Sequence, residues 1–307
     1  MSPKTTVLLI GARGFLGSKV LNAVLAKNKY TVKALIRKSS NASKIEALGV
    51  EVLRGDMMDP PSLKAACKGV DVVICTANGY MSGHPEIDTE GVNNVVDAIK
   101  VSPSVKRYIY CSVLTADLAK SVDHFYCKYE HEEYIKKQGV PYIALRPGAF
   151  LDQVDDYLGD GIKRGDSFAV SVWNKTVPIG MIYTPDLAKL FADAIELPEE
   201  ANGQHIDVGW SRPIAYQEVV SICSRKLNRR MMCITFPWLL RMSAIYTVGC
   251  YSNFWKEMFL MFNYFGFGKY VNNTDLQRKY FGEPPSPEEV IGRYVDGLLD
   301  SKTANPK

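Results

Sequence analysis

The stretch VLLIGARGFLGSKV, residues 7–20, constrains this chain more than any other. Four apolar residues, Val7 to Ile10, run straight into Gly11, Gly14 and Gly17, each three apart. A buried strand that ends in such glycines and continues as a helix makes a phosphate-cradling turn. The first glycine permits the tight turn, the second lets the backbone approach a diphosphate, and the third lets the helix lie close to the strand. Free N–H groups and the positive end of the helix dipole then face the phosphates.

The rest of the first half supports that context. Apolar runs alternate with helical segments: YTVKALIR, EVLRGD, DVVICTA, RYIYCSV and PYIALRP read as strands two to six. Helical patterns lie between them, the last being FYCKYEHEEYIKKQG. Strand–helix alternation with β-branched runs predicts a parallel sheet covered by helices on both faces. The expected fold is therefore α/β, a doubly wound Rossmann sheet with a smaller, mainly helical C-terminal substrate lobe. The expected division is residues 1–150 as the dinucleotide-binding domain, with 177–210 packing back on it, and 151–176 plus 211–307 as the lobe. DSFAVSVWNKTVPIGMIY suggests a small hairpin around Asn174-Lys175. SPEEVIGRYVDGLL reads as a C-terminal helix started by Ser286-Pro287-Glu288.

Composition excludes several classes. A net charge of +4 on 307 residues, with no Lys/Arg stripe, argues against a nucleic-acid partner. The seven cysteines show no metal-ligand spacing, so they read as reduced core thiols of a cytoplasmic protein, and no metal is expected. Residues 234–250 are mostly apolar, but Pro237 and Arg241 interrupt them, so they read as buried helix rather than a membrane span. Aromatics crowd residues 231–270, which suits core packing or the wall of an apolar substrate pocket.

The G-x-x-G-x-x-G form resembles the short-chain dehydrogenase/reductase superfamily in its extended and atypical branches. RGDMMDPPSL, VDVVICTA, VKRYIYCSV, GVPYIALRPGAF and YTPDLAKL are similar to successive motifs of that superfamily. The pattern most resembles the NmrA-like atypical reductases, which include quinone reductases and isoflavone-reductase-like proteins. The resemblance covers roughly residues 5–200 and is loose over the last hundred.

The residues themselves bear on which nucleotide is bound. NAD sites place a carboxylate at the end of strand two. Here that position reads ALIRKSS, with Arg37 and Lys38, and Arg13 inside the glycine loop reaches the same ribose. Cations around a 2′-phosphate suit NADP(H), the lesser alternative being plain surface basicity. Phe15 and Leu16, at the head of the helix, belong to the same loop. The resemblance adds Asp56 and Met57 at the adenine, Thr76 and Ala77 along the ribose and diphosphate, and Pro147, Gly148 and Phe150 on the nicotinamide side.

Short-chain reductases use Tyr-x-x-x-Lys, in which the lysine cation lowers the tyrosine pKa and the tyrosine gives the proton. Lys128 matches the family lysine, but four residues earlier stands His124. Tyr126 is only two residues from Lys128, which puts them on opposite helix faces. Ser112 follows strand five, where the family serine lies. Three readings follow. Lys128 serves as base or acid with His124 relaying a proton, and it also touches the cofactor. Or the acceptor is a quinone or activated alkene that tolerates a missing tyrosine. Or the protein binds NADP(H) without turnover, as a redox sensor. The leading expectation is an NADPH-dependent oxidoreductase for a small apolar ring compound, working as a monomer or homodimer. The loop holding Gly83 and His84 is expected to cover the substrate.

Overall fold

The computed structural model describes residues 4–154, 156–235, 237, 239–240, 243, 247 and 251–304. Most of the helix expected over 234–250 therefore lies outside the described residues. The chain divides into two compact units: residues 1–146 with 185–206, and residues 147–184 with 207–307.

The first unit is built on a sheet whose strands are β1 (Thr6–Ile10), β2 (Thr31–Ile36), β3 (Glu51–Arg54), β4 (Val72–Cys75), β5 (Arg107–Cys111) and β6 (Tyr142–Pro147). A seventh strand, Gln204–Val208, lies beyond β6, and the order from there is β6-β5-β4-β1-β2-β3. The β1–β2, β2–β3, β1–β4, β4–β5 and β5–β6 pairs are all parallel. Strand order reverses between β1 and β4, the switch point where open α/β sheets bind ligands. Helices α1 (Phe15–Ala26), α2 (Ser43–Glu46), α3 (Pro60–Cys67), α4 (Val92–Lys100) and α5 (Asp123–Gln138) connect the strands. All four residues of β4 are buried, as a strand covered on both faces requires.

The helix Thr184–Ala194 returns to this unit, and buried Arg107 fixes its end. The Arg107 guanidinium donates to the carbonyls of Ala194 (3.0 Å), Leu197 (2.7 Å) and Pro198 (3.1 Å) and to Asn202 Oδ1 (2.9 Å). One forked side chain thus satisfies carbonyls that the helix end leaves unpaired.

In the second unit, Ala149–Phe150 pairs with Met181–Ile182 and Ile214–Ala215 with Pro178–Ile179. Phe168–Ser171 runs parallel to Met232–Thr235. The hairpin expected at Asn174-Lys175 is thus absent, because the two strands flanking it pair elsewhere. The turn itself explains this. Val177 N–H donates to the Asn174 carbonyl (3.1 Å), and neither Asn174 nor Lys175 has positive φ. Two-residue hairpins need primed turns, whose positive φ Asn-Gly supplies and Asn-Lys does not. Its described helices include Leu151–Val154, Asp156–Arg164, Tyr216–Lys226, Asn253–Phe265, Asp275–Phe281 and Pro287–Ala304. Ser286 caps the last of these by accepting from Glu289 N–H (3.2 Å). Trp173 centres the aromatic core, stacked on Phe262 at 6.1 Å with Phe265 edge-on at 5.7 Å. Phe254, Trp255 and Phe267 are exposed, so the aromatic-rich segment is only partly core. No described helix is long and apolar enough to cross a membrane.

Candidate functional site

The glycine loop is built from main chain. Gly11 has φ +89°, and a Cβ there would lie 2.8 Å from Ala77 N. A Cβ on Gly17 would lie 2.0 Å from the Gly11 carbonyl oxygen, so β1 and α1 approach as closely as glycine allows. Gly14 N–H donates to Gly11 C=O at 2.9 Å, closing the turn. Gly14 is the N-cap, no side chain caps the helix, and its first turn carries no acid. The N–H groups at the head of α1 are left for an anion. Phe15 is 45% exposed beneath the Lys19 ammonium, 3.6 Å from its ring centroid, whereas Leu16 is buried in the core. Thr76 N–H and Oγ1 both donate to the Ile10 carbonyl, at 3.0 and 3.3 Å. They tie the ends of β1 and β4 together, with Ala77 next to Gly11.

Arg13, Arg37 and Lys38 are exposed, and none forms an ion pair or side-chain hydrogen bond among the described residues. The turn carrying Arg37 and Lys38 is held by Arg54, whose guanidinium donates to the Ser40 carbonyl (2.8 Å). Asp56 is half-buried and accepts from Met58 N–H (3.0 Å), while the buried Met57 offers its carbonyl to Asn94 (3.1 Å). Pro147, Gly148 and Phe150 fall in the second unit. There a Cβ on Gly148 would meet the Gly180 carbonyl oxygen at 2.6 Å, and Phe150 pairs with Ile182.

The inner face of α5 carries the other candidates. His124, Lys128, His131, Glu132 and Ile135 are all buried and follow helical spacing, so the stripe that enters the core is mostly polar. Each group on it is met by a partner from elsewhere. His131 Nδ1 stands 2.8 Å from Asn93 Oδ1, and burial followed by the Lys128 charge pushes its pKa down to about 3, so the ring is neutral. Glu132 accepts from Arg146 Nε (3.0 Å) and Nη2 (2.5 Å), and His205 Nδ1 lies 2.9 Å from its second oxygen. Burial alone would raise the Glu132 pKa, but the bonds from His205 and Arg146 win and hold it at about 2. Arg146 also reaches Asp117 at 3.1 Å.

Lys128 is 5% exposed, and its ammonium pairs with Asp88, which is completely buried. Burial opposes the charge on Lys128, yet attraction and hydrogen bonding to Asp88 raise its pKa above the ordinary lysine value. The other Asp88 oxygen accepts from Gly79 N–H (2.6 Å) and Tyr80 N–H (2.8 Å). The Tyr80 ring lies 5.9 Å from that of His124. Tyr110 lies beneath Lys128, its ring centroid 5.5 Å from Nζ. The Tyr110 and Ser112 hydroxyls are buried with no hydrogen-bond partner among the described residues. Tyr110 lies on β5, and Ser112 follows the last residue of that strand. Burial pushes the thiols of Cys111 and Cys127 up to about 12, so neither is a nucleophile at neutral pH. No cluster of His, Cys, Asp and Glu able to hold a metal occurs among the described residues.

Lys128, His124, the loop after β4 and Tyr110 of β5 thus form one cluster, without Tyr126. Tyr126 is half-buried against Tyr129, 5.6 Å between centroids, on another side of the helix. Gly83 and His84 lie in the loop that Asp88 holds, and His84 is exposed with Nδ1 3.0 Å from Glu86. Asp88 and Tyr110 are missing from the residues that the motifs pick out. A signal for Asp88 exists: it sits four before Val92 in the buried stripe Val92, Val95, Val96, Ile99, where a lone acid needs a partner.

Comparison with known proteins agrees with the fold. The model of the NmrA-like family matches residues 3–283. The photosystem II assembly factor Ycf39 of Trieres chinensis is 23% identical over 76% of this chain and 73% of its own. The phenylcoumaran benzylic ether reductase Pyrc5 of Pyrus communis is 28% identical over 77% and 79%. Among solved structures, the triphenylmethane reductase of Citrobacter sp. superposes with a TM-score of 0.77 at 19% identity, over 95% of this chain and 99% of that one. That reductase has also been solved complexed with NADP(H).

Proposed function

The chain belongs to the NmrA-like family, and on that premise we propose that it is an NADP(H)-dependent reductase of a small apolar substrate. The observation that carries the reading is the uncapped head of α1 against Gly11, Gly14 and Gly17, flanked by three cations without side-chain partners and no carboxylate at the end of β2. The residues fit a dinucleotide phosphate: the cradle has no room for Cβ atoms, and Arg13, Arg37 and Lys38 match a 2′-phosphate in charge. When bound, NADPH supplies hydride. Thr76 and Ala77 would line its path across the sheet end. The Tyr110 hydroxyl, whose ring lies 5.5 Å from the Lys128 ammonium, and the Ser112 hydroxyl after β5 have no hydrogen-bond partner among the described residues and suit ligand oxygens.

Lys128 is an ammonium, so its part is to orient and to stabilise negative charge rather than to act as base. An acceptor that needs hydride and draws its proton from a weak donor fits a site with His124 where the family tyrosine would stand. A quinone, enone or aromatic compound is such an acceptor. A second reading, an NADP(H)-binding sensor without turnover, is favoured by the same missing tyrosine and by the likeness to an assembly factor.

The test mixes purified protein, NADPH and a panel of quinones and enones and follows the reduced-nicotinamide absorbance. Oxidation above a Lys128→Ala control supports the reductase. Tight NADPH binding with no oxidation on any acceptor moves the assignment to the sensor. Equal affinity for NADPH and NADH removes the role given to Arg13, Arg37 and Lys38.

A further inference from the structure

Deepening the reading above, we infer that Asp88 is the positioning residue of the site: it fixes Lys128 in place as an ammonium and ties it to the loop after β4. Asp88 is fully buried, and both its oxygens are used. One pairs with Lys128; the other takes the Gly79 and Tyr80 N–H groups. A buried carboxylate is tolerated only when so satisfied. Because one planar group holds both, the ammonium and the loop cannot move independently. The loop is itself closed tightly: His84 N–H donates to Gly79 C=O at 2.9 Å, and a Cβ on Gly79 would lie 1.9 Å from the His84 carbonyl oxygen. Tyr80, seated by Asp88, places its ring against His124, so His124 is located through the same carboxylate.

The charge on Lys128 depends on Asp88 because the groups facing its ammonium are otherwise neutral, and the Glu132 carboxylate, one turn along α5, is already matched by Arg146. Tyr110 and Cys111 face it from β5 and Cys75 from β4, all raised by burial; Cys127 and His131 belong to its own helix, the thiol raised and the imidazole held neutral. None is an anion at neutral pH. A buried lysine that loses its counter-ion deprotonates far below its usual range. With Asp88 in place, Lys128 keeps two N–H donors for a ligand oxygen and no lone pair for base catalysis.

The test is Asp88→Asn, which keeps an acceptor for the loop and removes only the charge. The ε-carbon resonance of Lys128, assigned with Lys128→Arg in lysine-labelled protein without cofactor, is followed against pH. In the wild type it stays flat up to about pH 10; in Asp88→Asn it titrates below about pH 9. An unchanged Lys128 titration overturns the inference. Hydrogen exchange at Gly79 and Tyr80 is to be much faster in Asp88→Ala than in Asp88→Asn; equal rates overturn the loop half of the inference. NADPH affinity, read by fluorescence, falls at least tenfold in Asp88→Asn as pH rises through the new pKa and stays constant in the wild type. Wild-type protein that binds no NADPH while the resonance behaves as stated overturns the cofactor reading and leaves the positioning intact. If Asp88→Asn fails to fold, Asp88→Asn/Lys128→Met is read by thermal unfolding. Recovery of the folded state supports the pairing, because no charge is left uncompensated, and a double variant as unfolded as the single one overturns it.

Discussion

In the glycine loop, the groups left open for a ligand are main-chain N–H groups within one stretch of seven residues, Gly11 to Gly17. On the inner face of α5 the polar groups are side chains, each completed by a residue distant in sequence: Asp88 for Lys128, Asn93 for His131, Arg146 and His205 for Glu132. The two regions belong to the same unit, yet they respond to substitution in opposite ways. A main-chain site is damaged by adding atoms. A side-chain site is damaged by removing charge, because the partner left behind stays buried.

The α5 face is where the largest effect is expected. Glu132→Gln leaves Arg146 facing an uncharged amide, and the loss of stability should be about 3–5 kcal/mol in chemical denaturation. The pH dependence carries the same signature. The folded-state pKa of Glu132, about 2, is below the ordinary 4.5, so its stabilisation is present above pH 4.5 and disappears as pH falls towards 2. The wild-type melting temperature should therefore fall more steeply over that window than that of Glu132→Gln. Parallel curves would mean that the network holds little energy.

Gly17→Ala tests the other region. Its methyl group would sit 2.0 Å from the Gly11 oxygen, and the shift it forces should cost about 1–3 kcal/mol and abolish NADPH binding. Unimpaired binding in a calorimetric titration would show that the close approach is incidental. Arg37→Ala is milder, with an expected rise of about tenfold in Kd for NADPH, near 1.4 kcal/mol, and no change for NADH. Smallest of all is Tyr126→Phe, which should alter neither NADPH oxidation nor stability by more than about 0.5 kcal/mol, since the ring faces Tyr129 rather than Lys128. A large drop in turnover there would return Tyr126 to the catalytic set.

Legibility followed the same division. The Gly11–Gly14–Gly17 spacing and the cations at 37 and 38 are local patterns, and strand alternation is a local period, so the α/β sheet could be read from them. The angular separation of Tyr126 and Lys128 is equally a property of a single helix. The expected hairpin at Asn174-Lys175 failed because pairing partners are chosen by the whole unit: residues 168–171 found residues 232–235 instead. The link between Asp88 and Lys128 spans forty residues and two elements. The sequence shows only an acid ahead of the apolar stripe of α4 and a lysine within a charged helix.

The chain by itself determined the phosphate turn, the order of strands and helices, and the absence of an acid at the end of β2, because these depend on neighbours along the backbone. The tertiary structure alone decided the state of the candidate chemistry. It buried Lys128 against Asp88, which favours its charged form, and left the Tyr110 hydroxyl near it without a hydrogen-bond partner among the described residues. Protonation and hydrogen bonding in a buried site are set by which groups share the low-dielectric space, and only folding brings those groups together.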